Sequence, residues 1–198
     1  MRLFVFISIT LVLNACSQPG KHPEDCVSQV IPDTYIILNE KEFHLNQDTL
    51  FHNNKKYSGY IYSLYPSTAD TSLLAGYSEG LNAGTIKKWY PNKQLMELRF
   101  YCKGKKHGRQ VSFWENGNKR FEFIAQNDVY AGELKEWNID GKLIHLAHFV
   151  NGQEEGEQKM WYANGKIRAN YIMIKGRRYG LLGTKNCKNV SDSIFIDK

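Results

Sequence analysis

Apolar and polar positions divide the chain into a short apolar leader and a long body in which strand-like runs alternate with turns. Glu157-Gln158-Lys159-Met160-Trp161-Tyr162 is one such run, and Lys166-Ile167-Arg168-Ala169-Asn170-Tyr171-Ile172 is the next, with Asn164-Gly165 between them. Aromatic and β-branched runs bounded by Gly, Asn and Asp predict strands. Asn-Gly or Asp-Gly between two such runs predicts a hairpin with a type I′ turn, whose two central residues both need positive φ. A second turn, as in Lys175-Gly176-Arg177, returns the chain to the next run.

This pattern recurs. Gly59, Gly84, Gly108, Gly132, Gly156 and Gly180 are separated by steps of 25, 24, 24, 24 and 24 residues. Five positions after these glycines stand Leu64, Trp89, Phe113, Trp137 and Trp161, and one position later Tyr65, Tyr90, Trp114, Asn138 and Tyr162. A fixed period of this length is the mark of a repeat architecture. The predicted fold class is all-β: a repeat array of β-hairpins forming a single long, twisted antiparallel meander sheet. Its five repeats of about 24 residues span 59–180.

Three units depart from the rule. The first replaces its hairpin turn with Pro66-Ser67-Thr68-Ala69-Asp70-Thr71, the second has Pro91-Asn92-Lys93 where Gly is expected, and the third has Asn127-Asp128 between repeats. Residues 30–58 are less regular, with strands expected at Thr34 to Leu38 and Thr49 to His52 and a turn at Asn53-Asn54. This stretch reads as a capping segment and half-repeat, because an array must cover its open end. Residues 181–198 form a polar tail in which Ile194-Phe195-Ile196 could pair with the last strand.

The aromatics form two ladders. Trp89, Phe113, Trp137 and Trp161 recur on one sheet face, and Tyr90, Trp114 and Tyr162 point to the other, because strand side chains alternate. Two readings stay open: packing of adjacent hairpins, or an exposed platform for sugar rings or a partner's side chains.

The leader changes the picture of location. Arg2 precedes an apolar stretch from Leu3 to Leu13, too short to span a bilayer and of the length of a signal peptide. Leu13-Asn14-Ala15-Cys16 at its end resembles the lipobox of bacterial lipoproteins, which implies cleavage after residue 15 and acylation of Cys16. Several acyl chains anchor durably where one binds only marginally. Residues 16–29 then read as a lipid-anchored flexible tether, polar and rich in Pro and Gly. Ser17 follows the anchor, so the inner-membrane retention Asp is absent, which favours the outer membrane facing the periplasm.

Cys26, Cys102 and Cys187 remain for at most one disulfide, and which two pair is left open. An open array of about ten strands would hold its ends roughly 45 Å apart, which disfavours Cys26 with Cys187. Composition is that of a globular chain, 42% hydrophobic and 13% aromatic. The net charge of +6 is scattered rather than gathered in a stripe, so no nucleic-acid partner is expected.

Catalytic chemistry finds little support. His145 and His148 are three apart and fall on opposite faces of a strand, so they cannot share a metal. Glu133, Glu136 and Glu157 occupy solvent-facing repeat positions, and Glu154-Glu155 reads as part of a turn. No nucleophile elbow, phosphate loop or dinucleotide fingerprint is present. The expectation is a non-enzyme with no cofactor and no metal.

Lys103-Gly104-Lys105-Lys106-His107-Gly108 and Tyr162-Ala163-Asn164-Gly165-Lys166 are similar to the MORN-repeat variant of many bacterial proteins. The resemblance covers roughly Leu50 to Gly180. It implies a non-catalytic interaction module, here one that binds an envelope protein or a glycan. Some members of the family carry an antitoxin label, which implies the alternative of capturing a toxin on the repeat sheet. The residues leave the oligomeric state open.

Overall fold

The computed structural model of the protein describes Cys26, residues 29–38 and residues 41–181. The leader, Cys16, Cys187 and the tail from residue 182 lie outside the described residues. The strands are β1 (Tyr35–Ile37), β2 (Phe43–Asn46), β3 (Thr49–His52), β4 (Lys55–Lys56), β5 (Gly59–Leu64), β6 (Thr71–Ser78), β7 (Leu81–Asn82), β8 (Gly84–Trp89) and β9 (Leu95–Cys102). They continue as β10 (Lys105–Lys106), β11 (Gly108–Phe113), β12 (Lys119–Gln126), β13 (Val129–Trp137), β14 (Leu143–Val150), β15 (Gln153–Trp161), β16 (Ile167–Ile174) and β17 (Arg177–Leu181).

Fourteen strands make one sheet, in the order β1-β5-β6-β8-β9-β11-β12-β13-β14-β15-β16-β17, with β7 and β10 paired beside β6 and β9. From β5 onward the sheet is an antiparallel meander, as the repeat predicts. Two features lay beyond that expectation. β1 joins the edge in parallel, with Tyr35 opposite Tyr60 and Ile37 opposite Tyr62. β2, β3 and β4 form a separate three-stranded sheet.

The two kinds of turn exchange the roles that the sequence suggested. The Asn-Gly hairpins are not type I′, because of Asn116 and Gly117 only Gly117 has positive φ (87°). Gly117 N donates to Trp114 O at 2.9 Å and Trp114 N to Asn118 O at 2.8 Å. That is a three-residue loop, a tight turn followed by a left-handed residue. The two-residue loops with both φ positive stand between repeats, at Glu79-Gly80, Lys103-Gly104, Asn127-Asp128, Asn151-Gly152 and Lys175-Gly176. Asn53-Asn54 turns the cap in the same way.

The six glycines that define the period all have positive φ. At Gly132 (φ +71°) an added Cβ would meet nothing within 4 Å, so the backbone conformation alone demands glycine there. Register slips beside it, where Leu134 faces Phe123 but Ala131 faces Ile124. This β-bulge bends each such strand and strengthens its twist.

Bulges free backbone groups, and two buried glutamines take them up. Gln110 and Gln158 are 0% and 1% exposed and stand at equivalent positions, two residues after Gly108 and Gly156. Gln110 Nε2 donates to Phe100 O and His107 O, and its Oε1 accepts from Phe100 N. Gln158 Nε2 donates to His148 O at 2.8 Å. In the other units this position is apolar: Ile61, Ile86 and Leu134.

The core is discontinuous. Phe43, Leu50, Tyr57, Ile61, Ala75 and Ile86 form one buried cluster, in which the small sheet covers a face of the first repeats. Phe123, Ala125, Leu134 and Ala147 form a second, and Ala169, Tyr171 and Met173 a third, each within the large sheet. Among the described residues, substantial strand-to-strand contacts join hydrogen-bonded neighbours, so the large sheet is one layer. Cys26 pairs with Cys102, Cα to Cα 5.4 Å, and Lys103 N donates to Gln29 Oε1 at 2.9 Å. The end of the stretch read as tether is thus fastened to the turn after β9.

Candidate interaction surface

The first aromatic ladder sits where each outgoing strand ends, just past a register shift. Trp89, Phe113, Trp137 and Trp161 are all half-buried there. The second ladder forms bonds from one repeat to the next. Tyr65 Oη donates to Trp89 O at 2.6 Å, Tyr90 Oη to Phe113 O at 3.0 Å, and Trp114 Nε1 to Trp137 O at 3.0 Å. Each ring thus reaches across the hairpin and fastens to the next first-ladder aromatic. A half-buried Tyr or Trp places its polar tip on a partner in this way. Asn138 is too short to reach, and its Oδ1 instead accepts from Lys142 N at 2.9 Å. Tyr162, the last of the series, is 42% exposed.

The turns are laced at the same period. Asn92 Nδ2 donates to Glu115 O and Asn116 Nδ2 to Ile139 O, at 3.1 and 2.8 Å. On the opposite edge Gly104 N donates to Asn82 O, Asp128 N to Lys106 O and Gly152 N to Tyr130 O. Neighbouring repeats are therefore joined at both margins as well as through the strand ladder.

Trp114 and Trp137, expected on opposite faces, instead line one groove of about 500 Å³, because the register shift just before each first-ladder residue breaks the strict alternation. Arg120 spans it with its guanidinium 4.7 Å above the Trp114 ring. Tyr130 folds over from the inter-repeat turn and packs edge-on against Phe123, 4.8 Å between ring centres. Glu136 is held below the usual carboxylate range, first by its hydrogen bond to His145 and more weakly by Arg120. Ser112 at the groove is 4% exposed and its hydroxyl has no protein partner. The groove thus offers aromatic faces flanked by one cation, Arg120, and two carboxylates, Glu97 and Glu136. Arg120, Tyr130 and Glu136 vary from unit to unit, so the repeat pattern gave no signal for them.

His145 and His148 do fall apart. Nδ1 of His145 lies 3.6 Å from Glu136 and Nε2 of His148 lies 3.5 Å from Glu133. Glu154 and Glu155 are within β15 and half-buried, not in a turn. The strand continues through them because the two-residue loop before it is Asn151-Gly152. Glu154 instead accepts from Tyr171 Oη at 3.1 Å and faces Arg178 at 3.6 Å. Among the described residues no group of three or more His, Cys, Asp and Glu could hold a metal ion.

Two segments match the MORN repeat variant, residues 83–103 and 154–171. Each covers an outgoing strand, its three-residue hairpin loop and much or all of the return strand, so the matched unit is the structural unit. MORN repeats are interaction modules for proteins and membranes, without catalysis of their own. No curated protein matches the chain.

Proposed function

We propose that the protein is a non-catalytic, lipid-anchored interaction module of the bacterial cell envelope, attached through Cys16 and facing the periplasm from the outer membrane. The observation that carries this reading is the one-layer repeat sheet with half-buried aromatics along it and a groove at its centre. Repeat sheets distribute binding over several units. The partner is an envelope protein or glycan that lies along the sheet. The Cys26–Cys102 pair supports an exported chain, since disulfides persist in oxidising compartments.

The test is a Cys16→Ser variant expressed in a diderm bacterium, with alkyne-fatty-acid labelling and membrane fractionation. Wild type takes the label and sediments with the outer membrane. The variant takes no label and is either uncleaved or soluble. A variant that stays membrane-bound after normal cleavage contradicts the anchor. Crosslinking in the intact envelope should yield a partner from a photoreactive residue at Trp137 and none from one at Lys56.

A further inference from the structure

Two of the three places where the chain departs from its repeat, the first and second hairpin loops, meet in one place, whereas the third, Asn127-Asp128, lies elsewhere. The first hairpin loop is a residue longer than the others, since Tyr65 N bonds Asp70 O whereas Tyr90 N bonds Gln94 O. In the second hairpin Lys93 holds φ +68° at the position that Gly117, Gly141 and Gly165 take in later units. A non-glycine in the left-handed region costs on the order of 1 kcal/mol, so Lys93 stands there at a cost that the glycine of the later units avoids. The two irregular residues meet: Lys93 Nζ lies 3.1 Å from Asp70 Oδ1. β1, which lies outside the repeat, sets Tyr35 beside the same spot.

Together these enclose an open pocket of about 610 Å³. Its floor is Tyr35, Tyr62, Leu74 and Trp89, one from each of four adjacent strands, and Asp70 and Lys93 stand at its rim. Tyr35 is 56% exposed and is held flat against Tyr60, 5.0 Å between ring centres. The volume is that of a small-ligand site, and insertions in one repeat often mark a binding face.

We infer that this pocket binds a neutral pyranose ring of a glycan. The inference rests on the interaction-module reading and gives its ligand a class. The rim pair is self-neutralised, so a cation would meet Lys93 and an anion would meet Asp70. An apolar side chain would need neither. A neutral sugar lays its C–H face on the aromatic floor and turns its hydroxyls to the rim. There Asp70 keeps acceptor capacity and Lys93 keeps donors beyond their mutual bond.

The experiment titrates the mature chain, Cys16→Ser for solubility and with its disulfide intact, with cellotriose, maltotriose and triacetylchitotriose. Aromatic NMR resonances are the readout. At least one probe should shift Tyr35, Tyr62 and Trp89 saturably. Asp70→Asn and Lys93→Gly should each weaken that probe about tenfold or more, the size of one charge-assisted hydrogen bond. Lys93→Gly restores the glycine of the other units, so its loss of binding cannot be misfolding. Lys166→Gln, exposed on the last hairpin and remote from the pocket, should bind as wild type does. The inference is overturned if no probe shifts these three rings, or if Lys93→Gly binds unchanged. Such a failure leaves the module reading intact while Cys16-dependent anchoring and a crosslinked partner persist; that reading fails when those two are absent, whatever the sugars do.

Discussion

The two ends of the repeat array are built from the same unit, yet they are finished differently. At the first repeats, the small β2–β4 sheet lays Phe43 and Leu50 over Ile61, Ala75 and Ile86, and a disulfide ties Cys26 to Cys102. At the last strands, Ala169, Tyr171 and Met173 are buried with no second sheet over them among the described residues, while Ile172, Ile174 and Tyr179 on the same strands are 48%, 48% and 53% exposed. A hairpin unit one layer thick has little depth in which to bury apolar area. Depth comes from residues outside the repeat. The period therefore sets the shape of the array, and the irregular sequence before it adds depth at the first repeats.

The largest expected effect breaks that asymmetry covalently. Cys102→Ser opens a loop spanning 76 residues of sequence and should cost about 4 kcal/mol by the chain-entropy relation. Urea denaturation under oxidising conditions should show the loss at the N-terminal units, with the C-terminal hairpins unaffected. Equal loss at both ends would remove the distinction.

Core truncation sharpens the comparison. Ile61→Ala, enclosed by two sheets, should cost about 3 kcal/mol, and Met173→Ala, in one layer, about 2 kcal/mol. The order matters more than the values, and a reversed order in denaturant midpoints would show that the cap adds no depth. The smallest effect belongs to the joints. Tyr90→Phe removes only the hydroxyl that donates to Phe113 O and should cost about 1 kcal/mol. The same change at Tyr171, whose hydroxyl bonds the Glu154 side chain within one hairpin, should leave coupling between repeats untouched.

Much of this fold was legible because strand, turn and glycine recur at one spacing, and each recurrence repeats one mechanical demand. Gly132 is required by φ alone, so it marked its bulge in the sequence. The turn types were misread because Asn-Gly suits more than one turn. The chain's two-residue loops lie instead at pairs such as Lys103-Gly104 and Asn127-Asp128. Parallel β1 and the small sheet were not legible as such, because short strands in an aperiodic stretch carry no register signal. The disulfide partner was also hidden: Cys102 meets Cys26 only because the preceding segment folds back to the turn after β9. At the candidate site, the ladders could be seen, but not that Tyr65, Tyr90 and Trp114 donate to carbonyls one repeat on. A period shows which residues are equivalent, not where their polar tips go.

Among the described residues each repeat touches only its neighbours, so damage to one should stay local. The most direct measurement is hydrogen exchange on Trp161→Ala under native conditions. The substitution should cost up to about 3 kcal/mol, less than full burial would imply, because the ring is half-buried. Protection should fall in β15 and β16 and in the hairpins beside them, while Gly59 to Tyr90 exchanges as in the wild type. A uniform loss of protection along the whole chain would contradict the open array and point to a single cooperative core.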